Sequence, residues 1–434
     1  MQEFSQKKKL DFAGTQVSSN LNSAQTPKGD RKIMLFNLST SGHHPSYILH
    51  LIRFWGEHDL PGSLNIVVSP KFIQQHTDIV DLARKYGQEK VNLVPITIDE
   101  TAALLPHSNY LNRKLYFFQE WRLVYSYAES LKADHCLLMY FDTIQIPMAV
   151  AKKFPCSVSS IYFRPTFHYN QFDHYKPTWK DSLQQSQEKL ILSLALRHRQ
   201  LKTLFCLDPF VVKYLDKFNT TVKNVYLPDP VQIYNDTAIT TKKLRESLNI
   251  DPSRKIFLLF GSLDGRKGLH QLLEAVSLLS PDVCQQICLL LVGPIDNSVK
   301  SHVDNRVIQI SQSLPIQIIT HNQFIADHEI QAYFKLADVI LAPYQRHVGM
   351  SAILVRAATA QKPVLSSNYG LMGEITRRYQ LGITVDSTIP HQIALGLAQF
   401  VNTSPEKFGD STKMKTFAEQ NTAEKFASVI FQHV

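Results

Sequence analysis

The stretch Ile256-Phe257-Leu258-Leu259-Phe260-Gly261-Ser262-Leu263-Asp264-Gly265-Arg266-Lys267-Gly268-Leu269 joins an unbroken apolar run to an amphipathic segment, 269–279, through a glycine-bearing turn with two cations. The apolar run reads as a buried parallel strand and the amphipathic segment as a helix. Strand, tight turn and helix start form an anion site, because the first N–H groups of a helix lack internal partners and its dipole is positive there. Arg266 and Lys267 place two full charges at the same point, and a guanidinium can grip a phosphate with two parallel hydrogen bonds. Taken alone, the segment reads equally well as an ordinary turn with two solvated basic residues. Its surroundings decide.

Working outward, strands alternate with helices on both sides. Upstream the pattern predicts strands over 32–38, 65–68, 91–96, 135–140 and 157–163. Helices are predicted between them over 46–55, 78–86, 113–132 and 146–154. Two prolines in Asn224-Val225-Tyr226-Leu227-Pro228-Asp229-Pro230-Val231 then mark a stiff linker after a strand. The alternation restarts with strands over 255–260, 286–292, 316–320, 339–342 and 363–366. Such alternation implies parallel βαβ units, and a chain of 434 residues exceeds what one core organises. The expected class is therefore α/β, with two Rossmann-like doubly wound domains and a ligand cleft at the carboxyl ends of their strands. The expected division is a disordered basic and polar tail over 1–30, a first domain over 31–227 and a second over 228–410. A C-terminal helix over 411–434 is expected to pack back on the first domain.

Composition narrows the partners. With 44% hydrophobic and 19% charged residues, the chain is that of a soluble globular protein. A net charge of +9 suggests an anionic partner. Zinc-finger spacing, an aromatic RNA-binding signature and a tight basic helix are all missing, which ranks nucleic acid low. No apolar run suffices to span a bilayer, and the N-terminal segment has no secretory apolar core. The expected location is cytoplasmic, with a peripheral position at the inner membrane face as the other placement. The five cysteines form no Cys-x-x-Cys pair and read as core thiols. The chain has no Asp-x-Asp motif and no metal-ligand spacing.

Several further segments follow the opening stretch in a fixed order. Leu289-Leu290-Leu291-Val292-Gly293 is a strand with a glycine turn, and Ala337-Asp338-Val339-Ile340-Leu341-Ala342-Pro343-Tyr344 is a strand entering a loop. Gly349-Met350-Ser351 then precedes a helix over 352–360, and Lys362-Pro363-Val364 follows it. In this order the segments resemble the GT-B glycosyltransferases, most of all the family 4 (group 1) retaining enzymes that use nucleotide-sugar donors. The resemblance is strongest over 225–400.

That resemblance implies transfer of a sugar from a nucleoside diphosphate sugar to an acceptor hydroxyl, with retention, without a metal and without a cofactor. It places donor binding at Gly261, Ser262, Arg266, Lys267, Gly349, Met350 and Ser351. The acceptor it implies is a saccharide, a lipid-linked sugar or a small molecule. Family 4 enzymes usually carry two glutamates with seven residues between them, and this chain has neither. The second, which usually holds the donor ribose, aligns with Arg356, and the first aligns near Val348. Arg356 then reads a donor carboxylate or phosphate, and Glu374 reads either as the substitute for ribose recognition or, equally, as a surface acid.

In the first domain the loop Ser41-Gly42-His43-His44-Pro45 is expected to face the cleft, with Gly42, His43 and His44 as acceptor contacts. Its histidines read equally as helix caps or packing against Tyr47. Asp142 either orients an acceptor hydroxyl or caps the helix over 146–154. Arg164, for the acceptor, and His168 lie in Phe163-Arg164-Pro165-Thr166-Phe167-His168-Tyr169, where the family often carries a sugar-contacting histidine. The expected catalytic set is Arg266, Lys267, His168 and Asp142. An amphipathic helix over 186–201, with Leu190, Ile191, Leu194, Leu196 and Leu201, reads first as packed on its own domain and second as a peripheral membrane contact. Two other readings stand beside transfer: a non-catalytic glycosyltransferase-like subunit binding a sugar, nucleotide or partner enzyme, and a GT-B nucleotide-sugar epimerase.

Overall fold

A computed structural model describes residues 31–434, apart from 107–108, 152, 173–174, 233 and 235–240. The tail expected over 1–30 lies outside the described residues. The apolar runs pair in parallel throughout. The first sheet comprises β1 (Lys32–Phe36), β2 (Ser63–Val68), β3 (Val91–Pro95), β4 (His135–Leu138), β5 (Ser157–Tyr162), β6 (Leu201–Cys206) and β7 (Lys223–Tyr226). The second comprises β8 (Lys255–Phe260), β9 (Ile287–Val292), β10 (Gln317–His321), β11 (Val339–Ala342), β12 (Val364–Ser367) and β13 (Gly382–Val385). Their spatial orders are β3-β2-β1-β4-β5-β6-β7 and β10-β9-β8-β11-β12-β13. Each order reverses beside the first strand of its domain, between β1 and β4 and between β8 and β11. Those are the points where a doubly wound sheet opens a crevice for ligands.

Continuous apolar strands arise because helices cover both faces. In β8, Phe257 and Leu259 pack into one core with Leu269, Leu273 and Phe400. Ile256, Leu258 and Phe260 point the other way, into a core with Phe334, Leu354 and Met372. The two-residue period of the strand sends alternate side chains to opposite layers.

The structure shifts several predicted elements. The helix expected over 186–201 is Trp179–Ala195, and the chain re-enters the sheet as β6 from Leu201. A reciprocal cap between Thr178 and Asp181 sets its start, and the burial of Leu196 and Leu201 ends it. Its apolar stripe divides accordingly: Leu196 and Leu201 are core, whereas Leu190 and Leu194 are exposed with Trp179 and Leu183. The helix expected over 146–154 begins earlier, as Phe141–Val150, so that Phe141 and Ile144 enter the core. The segment 411–434 is two helices, Ser411–Gln420 and Ala423–Phe431, broken where the Asn421 side chain takes over bonding. Asn421 Oδ1 accepts from the backbone N–H of Asp229 (3.0 Å) and from the Tyr226 hydroxyl (3.2 Å), tying the break to the proline linker. Phe417 belongs to the second domain's core, and Phe426 and Ile430 to the first's.

Candidate functional site

Beyond β8 the chain turns at Gly261, whose φ of +109° suits glycine. An added Cβ on the neighbouring Gly293 (φ +122°) would sit 2.2 Å from the Gly261 carbonyl, so these two turns pack backbone to backbone. Asp264 then caps a single 3₁₀ turn, Gly265–Lys267, by accepting from the Lys267 N–H (3.1 Å), and Gly268 in the left-handed region opens the helix Leu269–Val276. The two cations of the turn part company. Arg266 is half exposed at the cleft, 3.6 Å from the Asp264 carboxylate. Lys267 is buried, and its ammonium donates to the Phe260 carbonyl and to the Tyr344 hydroxyl, both at 2.7 Å.

Tyr344 links this turn to the loop after β11. Its hydroxyl also lies 3.2 Å from Ser351 Oγ, at the start of the helix Ala352–Thr359. Between them, His347 packs edge-on against the Tyr344 ring. Burial first, then the charges of Arg266, Lys267 and Arg164, lower the His347 pKa to about 4. The imidazole is therefore neutral at neutral pH, although cations from both domains surround it.

The first domain closes onto this loop. Gly349 (φ +100°) donates its backbone N–H to the Tyr169 hydroxyl at 3.3 Å. An added Cβ there would lie 3.2 Å from the Phe163 carbonyl and 3.4 Å from Arg164 Cγ. Arg346 reaches Asp181 at 2.8 Å, a second link between the domains. Met350 packs against the cores of both.

On the first-domain side the loop Gly42-His43-His44 lies at the cleft. Gly42 is exposed with φ +70° and supplies the turn. His43 stacks on Phe163 with ring centroids 4.4 Å apart and remains partly open to solvent. Crowding by protein, then the charges of His44 and Arg164, hold its pKa below the ordinary histidine value. His44 stacks on His43 and contacts Tyr140, and burial lowers its pKa to about 4. Asp142 does not cap its helix, whose N-cap is Tyr140. Its carboxylate accepts from the N–H groups of Phe163 (3.0 Å) and Arg164 (3.2 Å), with Arg164 Nε 3.7 Å away. Asp142 thus fixes the loop that carries Arg164.

Three expected residues are committed elsewhere. His168 is buried in the first domain, with Nε2 2.9 Å from Asp208 Oδ2 and its ring among Tyr169, Phe172 and Tyr214. Glu374 is buried and paired with Arg377 (3.1 Å) and Arg378 on its own helix. Arg356 points to the first turn of the helix Asp327–Leu336, where it meets Asp327 at 2.5 Å. The remaining candidates, Gly261, Ser262, Arg266, Lys267, Gly349, Met350 and Ser351, lie on the two loops that Tyr344 joins. His347, Tyr344 and Tyr169 carry the geometry without having been singled out in the sequence. His347 had one signal, its position between Tyr344 and Gly349 in the loop after β11.

Comparison with known proteins bears on the fold and on the second half of the chain. Residues 240–420 match the family model described as "Glycosyl transferases group 1". No curated protein sequence matches the chain. Among solved structures, a glycosyltransferase from Rickettsia africae ESF-5 superposes with a TM-score of 0.64 at 12% identity, over 93% of this chain and 97% of that one. Sucrose-phosphate synthase from Thermosynechococcus elongatus gives 0.65 at 14% identity, over 93% and 98%. Anabaena Alr3699/HepE, solved with UDP and glucose, gives 0.61 at 15% identity, again over 93% and 98%. At such identities the likeness establishes the fold. The fold is that of the GT-B architecture, two Rossmann-like doubly wound domains, and the similarity to group 1 glycosyltransferases falls on residues 240–420.

Proposed function

We propose that the chain transfers a sugar from a nucleoside diphosphate sugar to an acceptor hydroxyl, with retention and without a metal or other cofactor. The observation that carries this reading is the convergence of Arg266 and Lys267 from one domain and Arg164 from the other around a neutral His347. Such a cluster meets the charge that grows on a departing diphosphate, and its preorganisation lowers the barrier without reorganisation during the reaction. Arg164 is exposed on the first domain, and Arg266, likewise half exposed, makes the direct contact from the second. Lys267, held by Phe260 and Tyr344, sets the potential behind it. The backbone at Gly261 and the helix start at Ser351 add neutral donors.

Ribose recognition needs a carboxylate that positions 348 and 356 lack. Asp327, which Arg356 holds at 2.5 Å, is the carboxylate nearest in role. Gly42, His43, His44 and Arg164 face the acceptor, a saccharide, lipid-linked or small molecule. A cytoplasmic location with peripheral membrane contact goes with this reading. The exposed Trp179, Leu183, Leu190 and Leu194 support the contact, because they fall within roughly 60° of helix circumference at 3.6 residues per turn. No described helix is long and apolar enough to cross a membrane.

The test is product formation from a panel of nucleotide sugars with and without candidate acceptor glycosides. Turnover that requires the acceptor establishes transfer. Acceptor-independent turnover of the donor sugar establishes the epimerase instead.

A further inference from the structure

The first sheet has its own switch point between β1 and β4, and a cavity of about 370 Å³ opens there. That volume lies in the range of small-molecule sites, about 300–1,000 Å³. The carboxyl ends of β1 and β4 form its floor, and the helix Tyr110–Ser130 contributes one wall through Tyr116 and Glu120. Its polar lining includes Asn37, His44, Tyr140 and Thr143. His44 and Tyr140 also touch the ring cluster around Phe163, so the cavity adjoins the cleft described above.

Glu120 is the anomaly of this cavity. The Thr143 hydroxyl donates to its carboxyl at a long 3.3 Å, and among the described residues no cation lies within ion-pair distance of it. Among the described residues no Lys or Arg lines the cavity; Arg164 sits over the Tyr140 ring at 5.4 Å but is engaged with Asp142. Burial raises the Glu120 pKa to about 7, the direction expected of a carboxyl without a counter-charge. A sugar phosphate in this cavity would set a dianion beside that carboxyl, and among the described residues the lining offers no Lys or Arg to offset it. A neutral ring supplies what the carboxyl lacks, hydroxyl donors, while Tyr116 and Tyr140 offer faces for its C–H groups.

We infer that this cavity seats a neutral, hydroxylated ring of the acceptor, that Glu120 accepts hydrogen bonds from its hydroxyls, and that the site discriminates against phosphorylated sugars. The inference rests on the transferase reading for the word acceptor. The binding claim is independent of it.

The experiment is hydrogen–deuterium exchange on the full chain with three sets of probes. These are neutral methyl glycosides of glucose, mannose, galactose and N-acetylglucosamine, then glucose 6-phosphate and mannose 6-phosphate, and UDP, GDP and ADP as donor controls. The expected result is protection of 116–124 and 140–144 by at least one neutral glycoside and by neither phosphate. Glu120→Gln should weaken that glycoside about tenfold or more while nucleotide protection of 261–268 is unchanged, which also shows that the variant is folded. The inference is overturned if the phosphates protect as well as the glycosides, if Glu120→Gln binds the glycoside as tightly as wild type, or if no glycoside protects this region. Loss of nucleotide protection at 261–268 in wild type would instead count against the donor site, and the two failures are read from different peptides.

Discussion

The Lys267 ammonium donates to the Tyr344 hydroxyl at 2.7 Å, so one hydrogen bond joins the turn after β8 to the loop after β11. The same ammonium lies 4.8 Å from the centroid of the Tyr344 ring, and the hydroxyl continues to Ser351. Tyr344→Phe removes the acceptor while keeping the ring. A hydrogen bond to a charged group contributes about 1.5–3 kcal/mol. The variant should therefore be less stable by an amount of that order, and should bind nucleoside diphosphate more weakly. Denaturant unfolding and calorimetric titration with UDP check the two effects.

Arg266 and Lys267 should behave differently despite being neighbours. Arg266 is half exposed and pairs only loosely with Asp264, so Arg266→Ala should leave stability within about 0.5 kcal/mol of wild type. Diphosphate affinity should fall roughly 10- to 100-fold, the loss of one charge-assisted contact. Lys267→Ala should lower stability as well, because its partners Phe260 and Tyr344 are buried. Thermal unfolding beside nucleotide titration separates the pair.

Gly349 cannot easily be replaced. Its φ of +100° strains any L side chain, and a Cβ would press on the Phe163 carbonyl across the cleft. Gly349→Ala should cost about 1–3 kcal/mol of stability and should weaken the closed arrangement of the domains. Small-angle scattering should report a larger radius of gyration for the variant, whereas an unchanged radius would show that the contact at Tyr169 does not hold the cleft.

Acid should weaken the fold through buried histidines. Burial lowers the His50 pKa to about 4 and that of His135 to about 3, both below the unfolded value of 6.5. A histidine depressed in this way contributes stability that is fully present above pH 6.5 and is lost as the pH falls toward the folded value. Each such group gives a slope of up to about 1.4 kcal/mol per pH unit in that window. Urea unfolding of His50→Gln and wild type between pH 7.5 and 5 should show a shallower loss in the variant. Parallel curves would assign the acid sensitivity elsewhere.

Much of the fold was legible because buried parallel strands are written as apolar runs, as in Ile256 to Phe260 and Ile287 to Val292. β13 was not, since all four of its residues are only partly buried and Gly382 breaks the pattern. The helix Trp179–Ala195 was misplaced because its amphipathic period continues into the leucines of the following turn and β6. In the site, the turn at Gly261–Gly268 stood out as an anion-site candidate only together with the segments that follow it in order, since alone it reads equally well as an ordinary turn. The environments of His347, Tyr169 and Glu120 could not be read from the sequence, because cations, ring contacts and missing counter-charges come from segments remote in sequence. Arg164 near His347 and Tyr169 on Gly349 exist only once the two domains face each other. His168 shows the converse, since a histidine placed by loop analogy is taken up by Asp208 inside its own domain.

The central claim is that a nucleoside diphosphate sugar binds at Arg266 on the second domain. The most direct measurement is a thermal-shift panel of UDP, GDP, ADP and CMP with their common sugar conjugates, wild type beside Arg266→Ala. A ligand at about 100 times its dissociation constant adds roughly 2.7 kcal/mol, a readily visible shift. The account predicts that one nucleotide family stabilises wild type and does so much less in Arg266→Ala. Equal stabilisation of both proteins, or none by any member of the panel, would contradict it.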